Sequence, residues 1–342
     1  MARRVPVIYC TDLFHPHDDP DDHFDLASLF SLDELDIRGI VLDQGNKQKK
    51  SPGRIPVEQM NVLTGRHVPW AVGLAEPLKH PNDTAFNQAV EYQSGIDLLL
   101  KTLEDSQDPV TIITVGSLRD VAAAFNREPE MFRQRVSRLM IFIGEASAGT
   151  LEWNVGLDPN GFIRMMNSGL PVWWVPCFDG GNFKNRGNAS FWRAEHADLL
   201  KYASDRVMNY FIYALQKKNS PNHLEILDGD VDESDRKRVL SEKRNLWCAA
   251  VFTEAPGRKI IEREGEWVSV PSAHLKKGDR DCEVFRFVPV SLFVNDEAQV
   301  VYEESSRSHR IMRFQIVNTD SYPEIMTSVT SRLIGDIENK NQ

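Results

Sequence analysis

Between Thr11 and Asp25 the chain reads TDLFHPHDDPDDHFD, which places six aspartates and three histidines within one short stretch. Carboxylates crowded in this way repel one another unless a cation or a basic group offsets them. Hard divalent ions such as Ca²⁺ and Mg²⁺ take oxygen ligands. A loop carrying Asp12, Asp18, Asp19, Asp21 and Asp22 directly after the apolar run Val5–Tyr9 therefore suits a metal site. Helix capping is a second explanation for part of the cluster: Asp19 as N-cap, Pro20 at the first helical position and Asp21 and Asp22 in the first turn make a sound helix start before Phe24. Capping leaves Asp12, His15, His17 and Asp18 unaccounted for. The mixed His-x-His-Asp-Asp ligands also admit a transition metal, with phosphoester hydrolysis as the accompanying chemistry.

Three more segments place polar groups after apolar runs. Val41-Leu42-Asp43-Gln44-Gly45-Asn46 ends a strand in a polar turn, followed by Lys47-Gln48-Lys49-Lys50, which reads as a solvated loop. Thr111–Val115 runs into Gly116-Ser117-Leu118-Arg119-Asp120, a strand exit and helix start whose carbonyls and amides are free to face a ligand. Glu152-Trp153-Asn154, which follows Gly149-Thr150-Leu151, sets a carboxylate and an amide around a flat apolar surface, a combination suited to vicinal hydroxyls of a sugar. Asp158-Pro159 then reads as the cap of the next helix.

The elements that must hold these groups alternate. Strand-like runs at Val5–Tyr9, Ile37–Leu42, Pro69–Val72, Val110–Val115, Leu139–Ile143 and Pro171–Val175 are separated by helical patterns at Phe24–Leu32, Val57–Gly65, Ala89–Leu103, Val121–Phe125 and Gly161–Asn167. This βαβ alternation predicts a doubly wound, mostly parallel α/β sheet flanked by helices, with ligands bound outside the carboxyl ends of the strands. Residues 1–342 are expected to form a single domain, with 1–180 the α/β core that carries the site motifs. Residues 181–342 are expected to supply helical insertions, including a helical stretch Phe191–Lys217, and a closing β region with pieces at Trp267–Val270 and Val284–Val290. The tail after Ile337 is expected to fray.

Fifty acidic against forty basic residues, a net charge of −10, disfavour nucleic acid or an anionic membrane as partner and leave a small molecule as the simplest ligand. The cysteines Cys10, Cys177, Cys248 and Cys282 form no CxxC pair, so reduced thiols are expected. The apolar run after Met1-Ala2-Arg3-Arg4 is too short for a signal peptide or a span, and the expected location is cytoplasmic. A homo-oligomer is compatible with all of this.

The ordered set of an N-terminal strand with an Asp-Asp helix start, strand-Gly-Asn, Gly-x-Leu-x-Asp after a strand, and Glu-Trp-Asn followed by Asp-Pro resembles the nucleoside hydrolase family, the inosine–uridine-preferring type. The resemblance covers about Val5 to Asp179 and implies the same α/β fold, a bound Ca²⁺ and hydrolysis of the N-glycosidic bond of a ribonucleoside or related riboside. Carried over, it makes Asp12, Asp21 and Asp22 metal ligands, with Asp19 the alternative to Asp12. The Arg119 carbonyl is a further ligand, Asn46, Glu152 and Asn154 hold ribose, and Asp21 or Asp22 is the general base. Two departures stand out. Cys10 occupies the place of the first acid, and the family's late His-Asp pair corresponds to Lys243–Ala250, where Asn245 is the remaining oxygen donor. The usual leaving-group acid is thereby missing, with His15, His17 and His23 the nearby replacements in sequence. A ribosyl-binding protein of the same fold without catalysis is the alternative function.

Overall fold

The computed structural model describes residues 4–147, 151–305 and 310–338. Gly149, Thr150 and the end of the tail expected to fray lie outside these ranges.

Seven strands of a nine-stranded sheet run parallel. β1 (Val5–Thr11), β2 (Leu35–Leu42), β3 (Trp70–Val72), β4 (Val110–Thr114), β5 (Val136–Ile141) and β6 (Val172–Trp174) come from the first half of the chain. The helices between them are α1 (Asp21–Phe30), α2 (Gly45–Gln48), α3 (Arg54–Thr64), α4 (Ser94–Asp105), α5 (Arg119–Arg127), α6 (Pro129–Arg135), α7 (Trp153–Leu157) and α8 (Pro159–Met166). Strands covered on both faces are buried throughout, as Val110–Thr114 is, where even Thr111 and Thr114 are out of solvent. Side chains alternate across a strand, so Val7 and Tyr9 enter one core beneath α1 and α3, while Ile8 and Cys10 enter the other beneath α4, α5 and α8.

The second half returns to the same sheet. Its elements are β7 (Trp192–Glu195), α9 (His196–Leu199), α10 (Asp205–Leu215), α11 (Glu233–Leu240), β8 (Lys243–Leu246), β9 (Lys259–Arg263), β10 (Glu266–Val270), β11 (Arg280–Asp281), β12 (Phe285–Val294), β13 (Val300–Glu304), β14 (Ile311–Ile316) and α12 (Tyr322–Gly335). β14 adds in parallel beside β6, and β12 and β13 close that edge antiparallel. The helix expected over Phe191–Lys217 is broken: Trp192–Glu195 is a strand paired with Lys243–Leu246, and only α10 is long. The indole of Trp192 is buried against Tyr322, a contact between segments far apart in sequence that local periodicity does not contain. No helix among the described residues is long and apolar enough to cross a membrane.

A network of buried charge fixes the loops at the carboxyl ends of the strands. Asp43, just past β2, accepts from the Ser117 amide at 2.9 Å and lies 3.3 Å from Arg119 Nε. The Arg119 guanidinium also donates to the carbonyls of Ala75 and Leu157. Asp158 caps α8 through the Gly161 amide and accepts from the Leu78 amide, and Asp120 accepts from the Leu74 amide. Gly73, where β3 ends, has no side chain because a Cβ there would overlap the Asp120 carboxylate. Gly73→Ala is expected to destabilise the fold by ~1–3 kcal/mol, the usual cost of overpacking, read as a lower urea midpoint with an unchanged slope.

Candidate active site

A cavity of about 500 Å³ opens where β1, β4, β5 and β6 end, the edge at which open parallel sheets hold their ligands. One wall is acidic, with Asp12, Asp21, Asp22 and Asp25, and Asp18 and Asp19 stand at its rim. The other is aromatic, with Phe142, Trp153, Phe178, Phe183 and Trp247. Glu152, Asn154, Val115, Lys47 and the thiols of Cys177 and Cys248 complete the lining.

The acidic wall is built by the β1–α1 turn. Helix α1 begins at Asp21 with Pro20 before it and no side-chain cap, so Asp19 is not the cap that its position suggested. Asp19 instead meets Arg244 Nη1 at 2.9 Å, and Asp18 pairs with Lys47, which lies 3.8 Å over the Phe14 ring. Thr11 Oγ1 donates to Asp22 Oδ1 at 2.8 Å, and the Ala249 amide donates to Asp25 Oδ1 at 2.7 Å. Burial, then the charge of Asp43, pushes the Asp12 carboxyl up to about 8. Burial pushes Asp25 up to about 7 against the opposing Ala249 hydrogen bond. Burial followed by neighbouring aspartates raises Asp21 and Asp22 well above the ordinary carboxylate range. Burial also pushes up the thiols of Cys177 and Cys248, which favours their neutral form.

The remaining sequence candidates separate. Asn154 lines the cavity; its Nδ2 donates to the Val115 carbonyl at 3.1 Å and its Oδ1 is buried without a partner among the described residues. Glu152 lines it as well, but its carboxylate accepts from the amides of Gly144, Asn154 and Val155, so it holds the turn that presents Asn154. Asn46 is exposed in α2, donating to Glu76 and accepting from Tyr92, away from the cavity lining. Asn245 accepts from Arg193 Nε across the β7–β8 pair and does not line the cavity either. Arg119 opens α5 behind the cavity. The strand end that reaches the lining is Val115, one turn earlier, because Ser117 and Leu118 spend their backbone groups on Asp43 and Ala122. The Lys47–Lys50 loop is not simply solvated: Gln48 is buried and bridges Leu13, Asp43 and Gly53.

None of His15, His17 and His23 lines the cavity. His15 stacks on Tyr213 and its Nε2 lies 2.6 Å from the Lys218 carbonyl, while His23 lies next to both other rings and Tyr210. These rings fasten the connection between β1 and α1 to α10. Val115, Phe142, Phe178, Phe183 and Asp25 also line the cavity without a motif in the sequence that marks them. For Val115 and Phe142 the available signal was position directly after a buried strand.

Among the described residues, no three His, Cys, Asp or Glu side chains are gathered as a metal site. The donor chemistry of the acidic wall nonetheless fits a hard cation. Asp12, Asp21 and Asp22 offer oxygen only, and a cation would offset both the burial and the neighbouring negative charge that raise their carboxyls.

Fold and site together define a doubly wound α/β protein with a partly polar cavity at the carboxyl edge of its sheet. A family model described as inosine-uridine preferring nucleoside hydrolase matches residues 11–223, more than half of the chain, and the chain belongs to that family. It is similar to the pyrimidine-specific ribonucleoside hydrolase RihA of Citrobacter koseri, at 27% identity over 190 residues, which is 49% of this chain and 58% of that protein. The Escherichia coli O1:K1 protein of the same name is 28% identical over the same extent, so the match spans less than two thirds of either relative. Among solved structures, a plant nucleoside hydrolase, PpNRh1, matches with a TM-score of 0.58 at 13% identity, over 97% of this chain and 99% of that chain. A purine-preferring ribonucleoside hydrolase from Gardnerella vaginalis matches with a TM-score of 0.56 at 13% identity, over 98% and 99%. These likenesses bear out the predicted fold.

The raised carboxyls give a signed pH test. An acid with a raised folded-state pKa stabilises the fold below its unfolded value, near 3.9 for Asp, and that contribution is lost as pH rises through the folded value, about 8 for Asp12. A cation needs the deprotonated form. Added calcium is therefore expected to raise the melting temperature by several degrees at about pH 8.5 and by much less at about pH 5.5. The buried His196, pushed down to about 4, acts in the opposite sense with or without calcium, so the difference between the two samples isolates the carboxylates. Melting temperatures that ignore calcium at both pH values contradict a cation site here.

Proposed function

We propose that this chain is a metal-dependent hydrolase of the N-glycosidic bond of a ribonucleoside or related riboside. The supporting observation is one cavity whose lining brings together carboxylates, the Asn154 side chain and aromatic rings. Calcium is the proposed cation, with Asp12, Asp21 and Asp22 as the side chains that would hold it and the carbonyl of Val115, the strand end in the cavity lining, proposed in place of that of Arg119. Bound there, the ion would make a water more acidic and bind sugar hydroxyls.

The remaining chemistry belongs to the chain. Ribose lies between the acidic wall and Asn154, whose side chain lines the cavity and is held through its Nδ2 by the Val115 carbonyl. Asp21 or Asp22 takes the proton of the attacking water, with the Thr11 hydroxyl fixing Asp22 through its Oδ1. Positive charge that develops at C1′ during bond cleavage faces the carboxylates, which stabilise it more than the neutral ground state. The ring of the leaving group lies against the aromatic wall.

With calcium, the protein is expected to hydrolyse 4-nitrophenyl riboside. Asp21→Asn and Asp22→Asn should each lower kcat, the general base by ~10²–10⁴-fold. Asn154→Ala should weaken ribose-analogue binding by ~1–3 kcal/mol, and Asn46→Ala should leave turnover as it is. Absence of turnover for every riboside, with ribose binding retained in calorimetry, replaces this reading with that of a ribosyl-binding protein.

A further inference from the structure

The aromatic wall is richer than a sugar site requires. Phe178, Phe183, Phe191 and Trp247 form one linked cluster with ring centroids 5.4–6.0 Å apart. Three of the four face the cavity, joined by Trp153. Trp153 is 74% exposed and Phe183 55%, which is unusual for large apolar side chains unless a ligand covers them. Phe183 also holds a left-handed backbone, with φ of 58°, a strained state for an aromatic residue that is often kept at binding sites. No titratable side chain belongs to this aromatic set. The two nearby basic groups are already committed, Lys47 to Asp18 and Arg244 to Asp19, so the cavity carries carboxylate without free positive charge on its described lining. Aromatic faces with no uncommitted positive charge beside them favour a cation.

We infer that the substrate is an N-ribosyl pyridinium, whose positively charged ring lies against Trp153, Phe178, Phe183 and Trp247. This rests on the riboside-hydrolase reading and names its leaving group. The step balances without an acid. A water oxygen bonds to C1′, the C1′–N bond breaks, and its electron pair stays on the ring nitrogen, which leaves as a neutral pyridine. The water proton passes to the aspartate base and then to solvent. A purine or pyrimidine anion would need a proton that the aromatic wall does not hold.

The test compares kcat/KM of the calcium-supplied protein for nicotinamide riboside, 4-nitrophenyl riboside, inosine and uridine. The neutral nitrophenyl compound controls for leaving-group quality. The pyridinium riboside is expected to exceed it by about tenfold, the size of a desolvated cation–π contact, and to exceed inosine and uridine by more. Trp153→Leu and Phe183→Leu should each lower the pyridinium to nitrophenyl ratio. Turnover of the nitrophenyl compound with no pyridinium preference, or a preference that both variants leave intact, overturns the inference while the hydrolase reading stands. Faster turnover of inosine or uridine overturns it too. Turnover of none of the four overturns both.

Discussion

Asp12, Asp21, Asp22 and Asp25 are crowded into one cavity wall with too few positive charges to match them, and the architecture around the site answers that electrostatic constraint. Isolated carboxylates in a low-dielectric wall either find partners, bind a cation or keep their protons. Partial answers are visible. Thr11 serves Asp22, the Ala249 amide serves Asp25, and Arg244 and Lys47 draw Asp19 and Asp18 outward to the rim. All four wall aspartates still keep raised carboxyls, Asp12 directly after β1 and Asp21, Asp22 and Asp25 on the first turns of α1. Behind them the Asp43–Arg119 pair and the Asp120 and Asp158 amide contacts lock the neighbouring loops, so the wall cannot relax simply by opening.

The fold was legible because its central strands are covered on both faces. Short β-branched runs such as Val110–Thr114, set between amphipathic segments, have few other solutions. Phe191–Lys217 misled because a short edge pair is decided by its partner, here Lys243–Leu246, rather than by its own periodicity. At the site, the Asp-rich turn and Asn154 were readable from residue type after a strand. Asn46 was not, because whether a residue after a Gly faces a ligand depends on the dihedrals of the turn, and Gln44 turns the chain with φ of 57° so that Asn46 meets Tyr92. His15, His17 and His23 show the limit of proximity in sequence: they flank the acids yet pack toward α10. The aromatic wall was invisible locally because Phe142, Phe178 and Trp247 arrive from three separate segments.

The two walls divide the proposed reaction. Water activation and stabilisation of charge at C1′ fall to the carboxylates, while leaving-group recognition falls to rings that carry no proton. The segment Lys243–Ala250, where the resemblance leads one to look for a His-Asp pair, supplies Trp247 and Cys248 to the cavity instead. Replacement of an acid by an aromatic surface changes the substrates that can leave rather than removing the means of attack.

The central claim is that the acidic wall exists to hold a cation against a ribosyl compound. A crystal structure of the protein grown with calcium and ribose tests it directly. The account predicts a single strong density peak within 2.3–2.6 Å of oxygens from Asp12, Asp21 or Asp22, with the sugar hydroxyls completing the coordination and Asn154 in contact with the ribose. An empty acidic wall, with ribose absent or bound elsewhere, would contradict it.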